Sequence, residues 1–105
     1  MPEHCLILCT SPNQEIARII AAKALEKKLA ACINLIPGLE SWYVWQGQVQ
    51  QDAEVQMLFK TQKNLADALY KLVLSLHPYD VPEWLVLDIA GGGQDYLNWI
   101  TSCTK

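Results

Sequence analysis

The sequence contains no cluster of lysines and arginines, no long apolar run and no Cys-x-x-Cys pair. Nucleic acids and anionic membranes attract proteins through clustered basic side chains, and the net charge here is −3. A membrane-spanning helix needs a run of about 20 apolar residues, which this sequence does not provide. We therefore expect neither a nucleic acid nor a membrane among the partners of this protein.

The four cysteines are widely spaced, at Cys5, Cys9, Cys32 and Cys103. Paired Cys-x-x-Cys motifs mark the commonest zinc and redox sites, and none is present. The N-terminal segment also lacks the basic lead and the small-residue cleavage site that are typical of a secretory signal. Because disulfides are rare where cellular reductants act, we expect four reduced thiols and a cytoplasmic location.

The sequence is rich in apolar and aromatic residues. It has 105 residues, of which 51% are hydrophobic, and this predicts one domain over residues 1–105 with a modest core. Four Trp, four Tyr and one Phe carry more aromatic surface than one small core hides. We therefore expect the protein to associate with copies of itself.

Residues 4–10 have the pattern of a strand buried on both faces, because both alternating sets of side chains are apolar. Such a strand belongs in the middle of a sheet. Ser11 and Gln14 form a capping box, Pro12 suits the first helical position, and the predicted helix continues through residues 15–31. Its sheet-facing stripe consists of Ala17, Ile20, Ala21, Ala24 and Lys28.

The next segment has the pattern of a β-hairpin. Residues 32–36 and 40–45 are strand-like, and Pro37-Gly38 separates them. Gln46-Gly47 suits a two-residue turn, since glycine readily adopts the positive φ that such turns require. Residues 49–61 are then predicted to form the returning strand.

A clean apolar stripe predicts the second helix, with Thr61 as its N-cap. The stripe consists of Leu65, Leu69, Leu72, Val73 and Leu76. Pro78 ends this helix, and His77 lies at its exit, because the residue before a proline disfavours helical geometry. Residues 83–90 are predicted to form a strand and residues 94–102 a short tail helix.

The element order β-α-β-β-α-β plus a tail helix predicts an α+β protein with a ferredoxin-like sandwich. In that architecture two helices cover one face of a four-stranded antiparallel sheet. Edge strands are expected to carry Trp42, Tyr43, Trp45 and Trp84, which favours association between subunits. For the first three, packing between subunits is favoured over a ligand cage.

This topology brings three distant residues to one end of the sheet. Cys9 lies near the end of the first strand, His77 at the exit of the second helix and Glu83 at the start of the fourth strand. Thiolate and imidazole suit copper or zinc, and a carboxylate adds charge or orients the histidine. The convergence indicates a metal site built from these three side chains.

Each of the three residues also has a purely structural interpretation. Cys9 would be a small buried hydrophobe, His77 a capping donor and Glu83 a solvated strand start. A catalytic Cys9–His77 pair is a further alternative, but no nucleophile elbow or set of oxyanion donors is visible. We therefore predict no catalytic residues and no enzymatic activity.

Four motifs identify a family resemblance. LCTSP, KLAACINLIPGLESWYVWQG, EVQMLFKT and LHPYDVPEWLVL, in this order, resemble the CutA divalent-cation tolerance family. The resemblance extends from about Cys5 to Trp99. It implies a ferredoxin-like subunit in a homotrimer that is similar in shape to the PII signalling proteins.

The resemblance also implies a role in tolerance of copper and other divalent cations. It implies copper binding, as Cu²⁺, by Cys9 in LCTSP and by His77 in HPY, while Glu83 is added by the topological argument above. Some bacterial relatives have a second histidine directly before HPY, where this chain has Leu76. Three or four good donors are normally needed for a tight copper site, so we expect weak or conditional binding.

The main alternative is a PII-like regulatory module. In that case clefts between subunits would bind a small molecule or a protein partner, and metal binding would be incidental. A specific ligand-induced rise in melting temperature would favour this alternative.

Overall fold

A four-stranded antiparallel sheet forms the centre of the computed structural model, which describes residues 3–105. The strands are β1 (His4–Ser11), β2 (Cys32–Trp45), β3 (Gln48–Gln62) and β4 (Leu85–Asp88), and the helices are α1 (Gln14–Glu26), α2 (Ala66–Leu76) and α3 (Gln94–Cys103). The strand order is β2-β3-β1-β4. This arrangement confirms the predicted α+β, ferredoxin-like fold. In the described part of the chain no helix is long and apolar enough to cross a membrane.

β1 is an inner strand, as its apolar pattern predicts. Cys5, Ile7 and Cys9 are completely buried and belong to one core cluster with residues of α1 and α2. The side chains that α1 adds to this core are mostly small, since Ala17 and Ala24 flank Ile20 on its buried stripe. Small side chains let the helix backbone lie close to the sheet. The core therefore fills the space between the two helices and one face of the sheet.

The start and end of α1 differ from the prediction. Asn13 is the N-cap, because its Oδ1 accepts a hydrogen bond of 2.9 Å from the Ile16 N–H, while Ser11 donates to the Asn13 carbonyl at 2.8 Å. The predicted Ser11 cap is therefore wrong by two residues. The helix ends at Glu26, because Lys28 has a φ of 57°, and Lys28 does not extend the buried stripe.

The region before α2 also differs from the prediction. Thr61 is the penultimate residue of β3, and its buried hydroxyl donates to the Leu29 carbonyl at 2.7 Å. A 3₁₀ turn, Lys63–Leu65, precedes the helix. Thr61 therefore ties β3 to the end of the α1 region and does not cap α2.

The end of α2 agrees with the prediction. The helix stops at Leu76, and His77 has an extended backbone with a ψ of 134°, as Pro78 requires. The following strand is shorter than expected, since β4 covers only Leu85–Asp88 within the predicted 83–90. Residues 77–84 therefore form a connecting loop at one end of the sheet.

β2 and β3 form a long two-stranded ribbon. Gln46 and Gly47 have φ values of 51° and 77°, which is the two-residue hairpin turn predicted from the sequence. β2 is continuous through Pro37-Gly38, where a bulge shifts the register between Ile36 and Leu39. β1 pairs only with residues 55–62 of β3, so the ribbon beyond the bulge projects past the sheet. The long dimension of the chain is 44 Å.

Candidate functional site

Cys9, His77 and Glu83 lie at the same end of the sheet. The Gln56 side-chain amide donates to the Cys9 carbonyl and to a Glu83 carboxylate oxygen, at 3.2 and 3.3 Å. The His77 ring reaches the neighbouring Thr10 carbonyl of β1 at 2.7 Å. The end of β1, the exit of α2 and the approach to β4 therefore meet, as the topology predicts.

Both ring nitrogens of His77 are engaged by the backbone. Nδ1 accepts a hydrogen bond from the Tyr79 N–H at 3.1 Å, and Nε2 therefore carries the proton that it donates to the Thr10 carbonyl. The side chain is buried. In this arrangement the imidazole is neutral and has no free lone pair for a metal ion. It fixes the exit of α2 and the following loop to β1.

Cys9 is held as a thiol. Its side chain is fully buried, and burial, followed by the charges of Glu83 and Glu54, raises the pKa of the thiol to about 12. The thiolate is the form that binds metals. At neutral pH Cys9 is therefore protonated and packs as a small apolar side chain within the core cluster.

These features do not fit a preformed copper centre. Glu83 is exposed, whereas Cys9 and His77 are buried and already bonded or protonated. Within residues 3–105, no group of three or more His, Cys, Asp or Glu side chains is arranged to hold one metal ion. A metal ion at the three predicted residues would require a rearrangement of the His77 hydrogen bonds and deprotonation of Cys9.

A pocket of about 520 Å³ lies beside these residues, between the projecting ribbon and the loop after α2. We call it the acidic cleft. It is lined by four carboxylates, four aromatic side chains and three other residues, namely Asp52, Glu54, Asp80, Glu83, Trp42, Tyr43, Trp45, Tyr79, Thr10, Ser41 and Val81. Of these residues, the sequence predicted only Glu83 in a binding site, and it predicted that Trp42, Tyr43 and Trp45 pack between subunits. The cleft forms only when two distant segments meet.

Two tyrosines hold carboxylates in the walls of the acidic cleft. Tyr79 donates its hydroxyl hydrogen bond to the buried Glu54 at 2.9 Å, and Tyr43 donates to Asp52. Burial and then the bond to Glu54 raise the pKa of Tyr79 well above its usual range. The bond to Asp52 raises the pKa of Tyr43. Both phenols therefore remain protonated donors at neutral pH.

Tyr79 connects the acidic cleft to His77. Its backbone N–H bonds the His77 ring, the two rings have centroids 4.7 Å apart, and its hydroxyl reaches Glu54 on β3. One residue thus joins α2, the loop and the ribbon. The HPY motif is the sequence signal for this connection, although its spacing gives no indication of the distant partners.

The molecule is thus a ferredoxin-like α+β protein with a projecting β-ribbon and an acidic cleft at one end of its sheet. A family model described as CutA1 divalent ion tolerance protein matches residues 5–103. The chain belongs to this family, and the resemblance drawn from the sequence motifs is confirmed.

Individual relatives agree in sequence and fold. The chain is 45% identical to the divalent-cation tolerance protein CutA of Citrobacter koseri over all 105 residues and 91% of that relative. The crystal structure of CutA1 from Oryza sativa superimposes with a TM-score of 0.96 at 42% identity, covering 99% of this chain and 95% of the other. The structure of the divalent cation tolerance protein from Thermus thermophilus superimposes with a TM-score of 0.95 at 44% identity, covering 97% of this chain and 99% of the other.

Proposed function

We propose that this protein acts in divalent-cation tolerance as a cytoplasmic homotrimer that binds copper weakly. The observation that carries the tolerance role is the family match, together with divalent-cation tolerance proteins that are similar over the full length of the chain. We propose a binding role without catalytic turnover. We propose the cytoplasmic location because the cysteine pattern favours reduced thiols.

The exposed edges of the sheet support the homotrimer. β2 and β4 are the outer strands, and the ribbon exposes Trp42, Val44, Trp45 and Val49 at 51–70% of their surface. Unpaired edge strands and exposed apolar patches favour association between chains. Pairing of edges between three subunits would remove this surface from water.

Copper, as Cu²⁺, is the proposed ion, and Cys9, His77 and Glu83 are the proposed ligands. We expect copper to bind only after a rearrangement, because His77 would have to release a backbone hydrogen bond and Cys9 its proton. Leu76 packs against the core and supplies no donor where some relatives have a second histidine. Weak binding is therefore the expected behaviour.

Anaerobic calorimetry of the reduced, metal-free protein tests the copper proposal. Saturable binding of about one ion per chain, lost in both Cys9→Ser and His77→Ala, is the expected result. Cys103→Ser is the matched control, because it removes a partly exposed thiol that belongs to none of the proposed ligands. Binding that persists in both site variants would reject these ligands.

The acidic cleft favours a second candidate function, a PII-like regulatory module. A pocket of about 520 Å³ lies in the usual range of small-molecule sites. In this case the acidic cleft, or a cleft between subunits, binds a small molecule or a protein partner, and metal is incidental. A ligand that raises the melting temperature of the metal-free protein, with saturation, would support this function.

A further inference from the structure

The segment between His77 and Trp84 is held in place mainly by side chains. Within the described part of the chain, residues 78–83 form no hydrogen bond from backbone to backbone, and its two prolines have no N–H to donate. Its inward side chains are the half-buried Tyr79 and the buried Pro82, whereas the others are exposed. Segments with few buried side chains and few backbone hydrogen bonds are those that open locally. We call residues 78–83 the latch.

Two fixed points bound the latch. Before it, the His77 N–H donates to the Val73 carbonyl at 2.8 Å and closes the end of α2. After it, the Trp84 ring packs against Phe59 and Tyr70, with centroids 5.8 and 5.0 Å away. The latch can therefore move between these points while the sheet and α2 stay intact.

Tyr79 holds the latch closed with two hydrogen bonds. Its hydroxyl donates to the buried Glu54 of β3 at 2.9 Å, and its N–H donates to Nδ1 of His77 at 3.1 Å. A further bond, from the Gln56 amide to Glu83, is longer at 3.3 Å and exposed, so it holds the latch more weakly. The closed position therefore depends chiefly on the Tyr79–Glu54 bond.

The closed latch keeps His77 and Cys9 occupied together. The Thr10 carbonyl accepts from the His77 Nε2–H at 2.7 Å and from the Cys9 thiol at 3.7 Å, so the two side chains meet at one backbone oxygen. While the Tyr79 N–H bonds to Nδ1, the imidazole has no free lone pair. Displacement of Tyr79 frees Nδ1 and opens a way to the adjacent thiol.

We propose that residues 78–83 open as one unit when the Tyr79–Glu54 bond breaks, and that this opening frees the His77 imidazole and the Cys9 thiol in a single step. The closed form is the structure described above, and the open form is a minor state. This inference rests on the proposed copper-binding function, whose site the latch regulates, although the opening itself requires no metal.

Alkylation of buried thiols measures the opening in the metal-free, assembled protein. Cys5 and Cys9 are both completely buried on β1, but only Cys9 lies beside the latch. With iodoacetamide at pH 8, Cys9 should react about tenfold or more faster than Cys5, while both remain slow relative to an exposed thiol. The Cys9 rate should depend only weakly on urea, because a local opening exposes little surface. Equal rates with an equally steep dependence on urea would overturn the proposal.

A tyrosine variant and its matched control locate the bond that matters. Tyr79→Phe removes the donor to Glu54 and should raise the Cys9 rate about fivefold or more, since a buried acceptor loses its partner in the closed form only. Tyr43→Phe removes the bond to the exposed Asp52 and should leave the Cys9 rate unchanged. Light scattering verifies that both variants keep the assembly. No increase in Tyr79→Phe, or an equal increase in Tyr43→Phe, would reject the latch.

A remote variant separates local opening from unfolding of the whole chain. Thr61→Val removes the buried bond from Thr61 to the Leu29 carbonyl, and Thr61 pairs with Cys5 at the other end of β1. The variant should be less stable in urea, and its Cys5 rate should rise. The Cys9 rate should stay at the parent value. A rise at Cys9 that equals the rise in the unfolding constant would overturn the proposal.

Copper titration of the same variants connects the latch to the proposed function. If only the open form binds, the apparent dissociation constant of Tyr79→Phe falls by the factor by which its Cys9 rate rises. Tyr43→Phe should bind copper as the parent protein does. A higher Cys9 rate without tighter copper binding would uphold the latch and reject Cys9 and His77 as copper ligands. An unchanged Cys9 rate would reject the latch whatever the copper affinity, so the two proposals fail separately.

Discussion

Cys9 shows how its surroundings change the chemistry of a residue. In the sequence it is one of four similar thiols, whereas in the fold it lies under α1 and α2 with a pKa raised to about 12. A raised pKa lowers the thiolate fraction tenfold per unit, so at pH 8 Cys9 is far less nucleophilic than an ordinary thiol. Its protonated state disfavours a permanently bound metal.

We predict that Cys9 resists alkylation in the folded protein. At pH 8 iodoacetamide should modify it about 1,000-fold more slowly than an unperturbed thiol, from the difference in thiolate fraction. Peptide mass spectrometry after timed quenching measures the rate at each cysteine. In concentrated guanidinium chloride all four cysteines should react at similar rates. Fast labelling of Cys9 under native conditions would contradict its burial.

Tyr79 is the residue that anchors the loop after α2. Tyr79→Phe removes the donor to Glu54 and leaves a buried carboxylate without this partner, which costs about 1–3 kcal/mol of unfolding free energy. Tyr43→Phe is the matched control, because the same change there affects the exposed Asp52 and should cost less. Urea denaturation of both variants measures the difference. Equal losses would show that burial of Glu54 is not the cause.

The secondary-structure elements were largely predictable from local sequence. A continuous apolar run predicted β1 correctly, Gln46-Gly47 predicted the hairpin turn, and Pro78 predicted the end of α2. The errors in the helix caps lie at Ser11, whose hydroxyl bonds to the nearby Asn13 carbonyl, and at Thr61, whose hydroxyl bonds to the distant Leu29 carbonyl. At Ser11 two adjacent polar residues compete for the cap, and at Thr61 a tertiary contact decides which carbonyl is available.

The start of α1 provides a test of this distinction. Asn13→Ala should lower the unfolding free energy by about 0.5–2 kcal/mol, the usual cost of losing an N-cap. Asn13→Asp should restore most of the stability, because aspartate accepts the same bond and favours the helix N-terminus. Thermal or chemical denaturation measures both. An Asn13→Asp variant more stable than the parent protein would also agree with this cap. An Asn13→Ala variant as stable as the parent protein would exclude it.

At the scale of the whole molecule, the order of the elements predicted which distant residues meet but not how they are bonded. The order of the elements brings Cys9, His77 and Glu83 to one end of the sheet. The engagement of both His77 nitrogens depends on Thr10 and Tyr79, which no spacing rule connects. The acidic cleft was missed, although Asp52 and Glu54 share one face of β3 by their spacing of two. Its opposite wall comes from the loop after α2, which is far from β3 along the chain.

The final prediction concerns the assembly. Light scattering should give three times the chain mass of 11.8 kDa, and Val44→Asp on the exposed ribbon should shift the equilibrium toward the monomer, since a charge in an apolar interface is costly. Leu74→Asp is the matched control, because this residue is also exposed, at 41% against 68% for Val44, but lies on α2. If Leu74→Asp dissociates the protein and Val44→Asp does not, the helical face forms the interface. A monomer for the parent chain would leave the apolar ribbon exposed and reject the homotrimer.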